Sequence, residues 1–254
     1  MNVKMIVTDL DNTLLRTDKT ISDYTASVFS RCREKSIKTV FATARPIRTV
    51  THMCNRIKTD AAIYHNGAVI TIGDAVYRQV GIKHELTKDL LLQTANRFKG
   101  MQISVEIDDV LYANFDVTKV WSNTTATMTD FSDLPDAPAD KIIFGTAESR
   151  VVSEIEEMLT DELYTVITEY QLLMVMNINA RKRNAIYEIA AYYDISPSDV
   201  AAFGDDFNDV EMLRDCGIGV AVANAIEEAK AAANYICDSN DNDGVVKWLE
   251  ENVL

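Results

Sequence analysis

Over the first third of the chain, short apolar runs alternate with helical stripes. Val3 to Leu10 is mostly apolar and β-branched, and predicts a buried strand that runs directly into D-L-D-N-T. Val28, Phe29 and Cys32 share one helical stripe behind Ser22, an N-cap residue type. Ile37 to Ala42 predicts a second strand, closed by A-T-A-R-P. Pro46 suits the first turn of a helix carrying Val50, Met53, Cys54 and Ile57. Ala61 to Tyr64 predicts a third strand before the turn pair Asn66–Gly67, and Val69–Ile72 with Val76–Val80 read as a hairpin. This β-α-β-α-β order predicts a parallel sheet with helices on both faces.

The rhythm then changes. Leu86, Leu90, Leu91, Ala95 and Phe98 mark a helix. Ile103, Val105 and Ile107 alternate up to Asp108–Asp109, and Leu111, Ala113 and Phe115 alternate after it. This is the pattern of an antiparallel hairpin with one solvated face. Asp133 to Asp140, with Pro135 and Pro138, reads as loop, and Lys141–Phe144 as a strand. Val151, Ile155, Met158 and Leu159 mark a helix, and Leu163–Thr168 with Leu172–Ile178 a further hairpin. Residues of roughly 82–180 therefore read as an α+β unit inserted into an α/β one. The α/β alternation resumes with a helix through Ala185, Ile186, Ile189, Ala190 and Tyr193. A strand at Val200–Phe203 follows, ending in G-D-D-F-N-D. Then come a helix at Asp209–Cys216, strands at Ile218–Val222 and Tyr235–Cys237, and a terminal helix from Val245.

Composition narrows the class. The chain has 254 residues, 47% hydrophobic and 25% charged, which suits one large domain or a core carrying a smaller insertion. Twenty-five basic residues against 39 acidic ones give a net charge of −14, a balance that repels nucleic acid and anionic membrane. The densest basic cluster is Arg181, Lys182 and Arg183. No run approaches the ~18 apolar residues of a membrane span, and the N-terminal apolar stretch is too short for a signal sequence. Cys32, Cys54, Cys216 and Cys237 have no metal-binding spacing and read as reduced, mostly buried thiols. The expectation is a soluble cytoplasmic protein without nucleic-acid or membrane partners.

Three polar motifs sit at the carboxyl ends of predicted parallel strands: Asp9 with Asp11, Thr43, and Asp205 with Asp209. Open α/β sheets bind ligands at that edge. Four carboxylates gathered there repel one another, and a hard cation with oxygen ligands, Mg²⁺, is the natural resolution. Thr43 offers a hydroxyl and Lys182 a point positive charge. Carboxylates, Mg²⁺, a hydroxyl and an ammonium together describe a phosphoryl-transfer site.

In chain order, D-L-D-N-T, A-T-A-R, Lys182 and G-D-D-F-N-D resemble the four motifs of the haloacid dehalogenase superfamily. The insertion between the second and third resembles the C2-type cap of the Cof-like phosphatases. The N-G at 66–67, A-V-A-N-A at 221–225 and D-G-V at 243–245 extend the resemblance over essentially the whole chain. It implies an α/β fold with a Rossmann-like parallel-sheet core (residues 1–81 and 182–254) and an inserted α+β cap (82–181). It also implies that Asp9 is the nucleophile and that Asp11 is general acid and then base. Mg²⁺ would be held by the Asp9 carboxylate, the Asp11 backbone carbonyl and Asp205, with Asp209 supporting it from behind or through water. Thr43 and Lys182 would bind phosphoryl oxygens, assisted by the Leu10 and Ala44 amides and the Asn208 side chain. Asp11 needs a proton for the first step, so a raised pKa is expected there.

The chain departs from the family at Asn12 and Ala44, which stand where glycine is usual, and at Arg183, where glycine is frequent. The last departure leaves Arg181 or Arg183 as alternative phosphate partners, although Ala185 and Ile186 keep the spacing that favours Lys182. Asp206 reads as solvated or capping. His52, His65 and His84 show no ligand pattern and read as surface or hydrogen-bonded structural residues. Trp121 and Trp248 read as packing residues, with a substrate-facing Trp121 as the alternative. Tyr170, Met174 and Met176 read as cap-sheet core. The expected activity is Mg²⁺-dependent hydrolysis of a small phosphorylated metabolite through an aspartyl-phosphate, under a cap that closes over it. Sugar phosphates lead, and flavin- or pyridoxal-type phosphates follow. The alternatives are a phosphomutase or phosphotransferase on the same intermediate and a non-catalytic phosphometabolite sensor. No motif distinguishes a monomer from a dimer.

Overall fold

The structure is a computed structural model that describes residues 1–122, 124–168 and 172–254. Tyr170 and the side chains of His52 and Met53 lie outside the described residues. The chain divides into two compact units, Met1–Arg78 with Arg181–Leu254, and Gln79–Ala180.

The first unit begins with β1 (Met5–Thr8), an irregular helical turn at Leu10–Leu14, α1 (Asp23–Glu34), β2 (Lys38–Ala42), α2 (Ile47–Met53), β3 (Ala61–Tyr64), β4 (Val69–Ile72) and β5 (Ala75–Gln79). The second unit contributes α3 (His84–Arg97), β6 (Ile103–Ile107), β7 (Val110–Ala113), β8 (Thr127–Met128), β9 (Ala139–Phe144), α4 (Ser149–Glu156), β10 (Leu163–Ile167) and β11 (Leu173–Asn177). The chain then returns to the first unit with α5 (Lys182–Tyr192), β12 (Val200–Gly204), α6 (Val210–Asp215), β13 (Ile218–Val222), α7 (Glu227–Ala232), β14 (Tyr235–Cys237) and α8 (Gly244–Asn252).

The first unit is built on an eight-stranded sheet in the order β14-β13-β12-β1-β2-β3-β4-β5. From β14 to β3 the strands are parallel, and β4 turns back antiparallel on β3. Both faces of this sheet are covered, which explains why its central strands are apolar without alternation. Ile6, Phe41 and Phe203 pack with Val28, Phe29, Trp248 and Leu249 on one face. Met5, Val7, Val40 and Ile63 pack with Ile186, Ile189 and Met212 on the other. Ser22 caps α1 by accepting from the Thr25 amide, as its residue type predicts. Pro46 sits one position before α2, as its N-cap. The paths away from β1 diverge, to β2 on one side and β12 on the other, so the topological switch point lies beside β1.

The second unit is a six-stranded sheet in the order β10-β11-β9-β6-β7-β8. Its pairings are antiparallel except that of β7 with β8. Leu90, Leu91 and Ile155 of its helices pack on Ile103, Val105, Ile107, Phe144, Leu173 and Val175. The Asp108–Asp109 turn has φ of 51° and 60° at its two residues, the left-handed pair of a tight hairpin. The predicted loop to Asp140 ends two residues earlier. Pro138, which has no N–H to give, is its last residue, and Ala139 pairs with Ile107 and bridges Ile82. Asp140 is buried and accepts from Gln79 Nε2 at 2.9 Å. Met174 and Met176 are buried in β11. Trp121 packs against Leu111, Ala113 and Val117, while Trp248 stacks edge-on to Phe203 with centroids 5.5 Å apart. His84 Nδ1 meets the Pro135 carbonyl oxygen at 2.9 Å. No helix among the described residues is long and apolar enough to cross a membrane.

Leu91 is fully buried and Val76 is 60% exposed. Leu91→Ala is expected to lower stability by about 2–5 kcal/mol, and Val76→Thr by no more than about 0.5 kcal/mol. Urea unfolding of both variants checks this, and equal midpoints would show that the second unit's helix–sheet core has been misjudged.

Candidate active site

Strand register brings the three polar motifs to one edge. Thr8, the last residue of β1, is level with Phe203 of β12 and Phe41 of β2. Asp9, Asp205 and Thr43 therefore emerge from neighbouring strand ends. Asp9 is held by its backbone: its N–H donates to Phe203 O at 2.9 Å, and Thr8 Oγ1 donates to Asp9 O at 2.8 Å. Its carboxylate Oδ1 accepts from Lys182 Nζ at 2.6 Å. Among the described residues Asp9 Oδ2 carries no hydrogen bond.

Lys182 is the first residue of α5, and its ammonium also donates to Asp209 Oδ1 at 2.7 Å. Its flanking cations point elsewhere, Arg181 to Glu211 and Arg183 to Asp215. The Asn66–Gly67 turn seats the start of this helix. Gly67 has φ of +113°, and a Cβ there would lie 2.5 Å from the Arg181 carbonyl oxygen. On the other side, Asp209 Oδ2 accepts from the Asp205 amide at 3.0 Å and the Asp206 amide at 3.3 Å. Gly204 makes room for it: a Cβ at 204 would lie 2.5 Å from Asp209 Cβ. Asp206 caps the turn through the Phe207 amide. Thr13 Oγ1 donates to Asp205 Oδ1 at 2.6 Å.

Carboxylate oxygens of Asp9, Asp205 and Asp209 all lie within 4.8 Å of one another, and Asp9, Asp209 and Lys182 are almost wholly buried. Burial, with the neighbouring carboxylates, pushes the Asp9 carboxyl well up from its ordinary value, against the pull of Lys182. Burial and Asp209 push Asp205 up to about 7. Lys182 is raised: desolvation works against its charge, but Asp209 and Asp9 outweigh it. Three carboxylates thus face one ammonium, an excess that one divalent cation would neutralise. The donors are hard oxygens, so the residues fit a cation of the Mg²⁺ class.

Asp11 stands apart from that cluster, and here the structure corrects the sequence reading. Its Oδ2 accepts from Arg45 Nε at 2.6 Å, and its Oδ1 accepts from Arg45 Nη2 at 2.7 Å and Lys19 Nζ at 2.8 Å. Burial works to raise its carboxyl, but the hydrogen bonds and charges of Arg45 and Lys19 overcome it and hold it below the ordinary value. The expected raised pKa is absent because two cations stabilise the anion. Arg45 lies inside A-T-A-R, where residue type alone gives it no partner, and Lys19 belongs to no pattern that spacing could expose.

Thr43 is buried. Its Oγ1 accepts from the Arg45 amide at 3.1 Å, and its carbonyl accepts from the Asn66 amide at 3.0 Å. Asn208 Nδ2 donates to Asn66 Oδ1 at 2.9 Å. Leu10 is buried at the start of the turn after Asp9, and Ala44 directly follows Thr43. Thr13 and Asn66 complete this setting, and residue type alone does not single them out as site residues. Each lay inside a quoted motif, D-L-D-N-T and N-G, and that was the available signal. His65 is buried, in the Asn66 turn.

The profile of the haloacid dehalogenase-like hydrolases matches residues 6–249. The chain is 27% identical over 260 residues to a 5-amino-6-(5-phospho-D-ribitylamino)uracil phosphatase, YitU, of Bacillus subtilis (strain 168), covering 97% of this chain and 96% of the relative. It is 26% identical over 243 residues to an HMP-PP phosphatase of Enterobacter sp. (strain 638), covering 90% of this chain and 87% of that one. Among solved structures it resembles the superfamily phosphatase BT1666 from Bacteroides thetaiotaomicron with a TM-score of 0.87. The identity there is 23%, over 98% of this chain and 94% of that chain.

Two outcomes follow from this geometry. The Asp205 carboxyl is pushed up to about 7 in the folded protein from an ordinary value of 3.8, so between those values the folded state binds more protons than the unfolded one. Its contribution is fully present below 3.8 and is lost as pH rises towards 7, so metal-free stability falls across that window. Asp205→Asn is expected to flatten the slope, measured by urea midpoints in chelator at a series of pH values. Parallel slopes for the variant and the wild type would refute it. Gly204→Ala is expected to displace Asp209 and lower stability by about 1–3 kcal/mol, with weakened divalent-cation binding by calorimetry. An unchanged cation affinity would show that Asp209 tolerates the added methyl.

Proposed function

The chain belongs to the haloacid dehalogenase-like hydrolases and is a phosphomonoester hydrolase. From that premise we propose that it cleaves small phosphomonoesters by transferring the phosphoryl group to Asp9. The observation that carries this reading is the Asp9 carboxylate. It is buried at a strand end, with Oδ1 tied to Lys182 and Oδ2 without a hydrogen bond among the described residues.

In the first displacement Asp9 Oδ2 bonds to phosphorus while the ester oxygen departs with its electron pair and takes a proton from Asp11. In the second, water attacks the aspartyl-phosphate and yields its proton to Asp11, releasing inorganic phosphate and restoring Asp9. Splitting one hard hydrolysis into two displacements is the gain of nucleophilic catalysis. Lys182 orients Asp9 and, with Thr43, meets the phosphoryl oxygens, assisted by the Leu10 and Ala44 amides and by Asn208. Asp11 is anionic in the grip of Arg45 and Lys19. An entering phosphate competes for those cations, and loosening their grip lets Asp11 take up the proton that the first step consumes.

Mg²⁺ would be held by the Asp9 and Asp205 carboxylates and the Asp11 carbonyl, with Asp209 behind them, and would neutralise charge on the transferring group. The inserted residues 82–181 are read as the cap that selects the organic part of the substrate. Sugar phosphates are the first class to try. Ribityl and other flavin-type phosphates follow, in keeping with the substrate in the name of the Bacillus relative, and pyridoxal-type phosphates come third.

The test is phosphate release from a panel of these esters, with and without Mg²⁺, for wild type and Asp9→Asn. The expected outcome is Mg²⁺-dependent turnover that the variant loses by at least about 10³-fold. Wild-type inertness towards the whole panel, with the protein folded and the metal bound, would overturn the reading.

A further inference from the structure

The A-V-A-N-A stretch at 221–225 and the D-S-N-D-N-D-G stretch at 238–244 take no part in the chemistry above, yet both reach the segment that carries Asp11. Asn224, just past β13, donates from Nδ2 to the Asn12 carbonyl oxygen at 2.8 Å, and its Oδ1 accepts from the Asn240 amide at 3.0 Å. Asn240, itself buried, donates from Nδ2 to the Leu15 carbonyl oxygen at 3.0 Å. Two side-chain amides in series thus grip both ends of the turn that follows Asp11. The turn is closed by the Leu15 amide on the Leu10 carbonyl at 2.8 Å.

Asn12 has φ 57° and ψ 5°. This is left-handed backbone, which asparagine enters more readily than most side chains but which only glycine holds without steric penalty. Side chains on either side depend on it. Asp11 is presented to Arg45 and Lys19, and Thr13 turns inward to donate to Asp205. A relaxation at Asn12 rotates both neighbours, and a displacement of about 1 Å in such a group can cost up to 10²-fold in rate.

We infer that Asn224 is a positioning residue for phosphoryl transfer, holding Asn12 in its left-handed turn and so aiming Asp11 and Thr13. A side-chain amide suits the task because it donates to one loop and accepts from the other at once. A carboxylate can only accept. The inference rests on the proposed reaction for its kinetic readout and on backbone dynamics for a second, independent one.

The test is Asn224→Asp, which keeps the acceptor for the Asn240 amide and removes the donor to Asn12, with Asn224→Ala beside it. In both variants kcat on the best phosphomonoester is expected to fall about tenfold, with KM within about twofold. Exchange of the Leu15 amide should accelerate about tenfold. Adding Asn12→Gly to Asn224→Asp should restore most of kcat, because glycine holds positive φ without help.

An unchanged kcat, a rise in KM in its place, unaltered Leu15 exchange, or no recovery with glycine at 12 would each overturn the assignment. If the wild type hydrolyses no phosphomonoester, the proposed function fails instead. Leu15 exchange in the two variants still decides whether Asn224 holds the turn.

Discussion

The site depends on one buried ammonium. Lys182 lies between Asp9 and Asp209 with its side chain fully enclosed, and Asp205 stands in the same cluster. Carboxylates this close in a low-dielectric setting repel one another strongly, and removing one partner of such a group leaves an uncompensated buried charge. Burial first, and the neighbouring carboxylates after it, raise the carboxyls of Asp9 and Asp205. The cluster carries an excess of negative charge that one divalent cation would offset.

Keeping that ammonium in place requires contributions from four strand ends and one helix start. The parallel register levels the ends of β1, β2 and β12, so Asp9, Thr43 and Asp205 emerge side by side. Gly204 lets Asp209 fold back against the strand, where it collects the Asp205 and Asp206 amides. Gly67 lets the turn after β3 touch the Arg181 backbone, which fixes where α5 starts and hence where Lys182 projects. The same turn presents Asn66 to Asn208. These close approaches are backbone conditions, and they explain why glycines recur at the rim of a centre whose chemistry is carried by charged side chains.

The two aspartates of D-L-D are separated by charge balance as well as by direction. Asp9 shares Lys182 with Asp209, whereas Asp11 accepts from two cations, Arg45 and Lys19. One carboxyl is pushed up and the other down, so environments two residues apart shift identical side chains in opposite directions. The segment between and after them, with Asn12 in left-handed backbone, makes that divergence possible. A straight strand would have placed both side chains on the same face.

Much of this was legible in the chain itself. Apolar runs marked β1, β2 and β12 as strands, and alternation marked the β6–β7 hairpin, although Ser104 and Glu106 on the face expected to be solvated are buried. The switch between the two rhythms marked the insertion. Ser22 and the Asn66–Gly67 turn were readable because capping and left-handed turns are local preferences. Asp9, Asp205 and Lys182 stood out because their motifs lie at strand and helix ends, positions that periodicity locates.

The state of each site group was decided elsewhere. Lys19 meets Asp11, and Asn224 meets Asn12, through a loop and a strand end that no period connects. The lowered carboxyl of Asp11 and the early start of β9 at Ala139 likewise depend on partners distant in sequence. Local pattern reports which face a residue turns to its own element. Only the tertiary structure sets the charges and hydrogen bonds it meets there, because these come from segments that folding brings together.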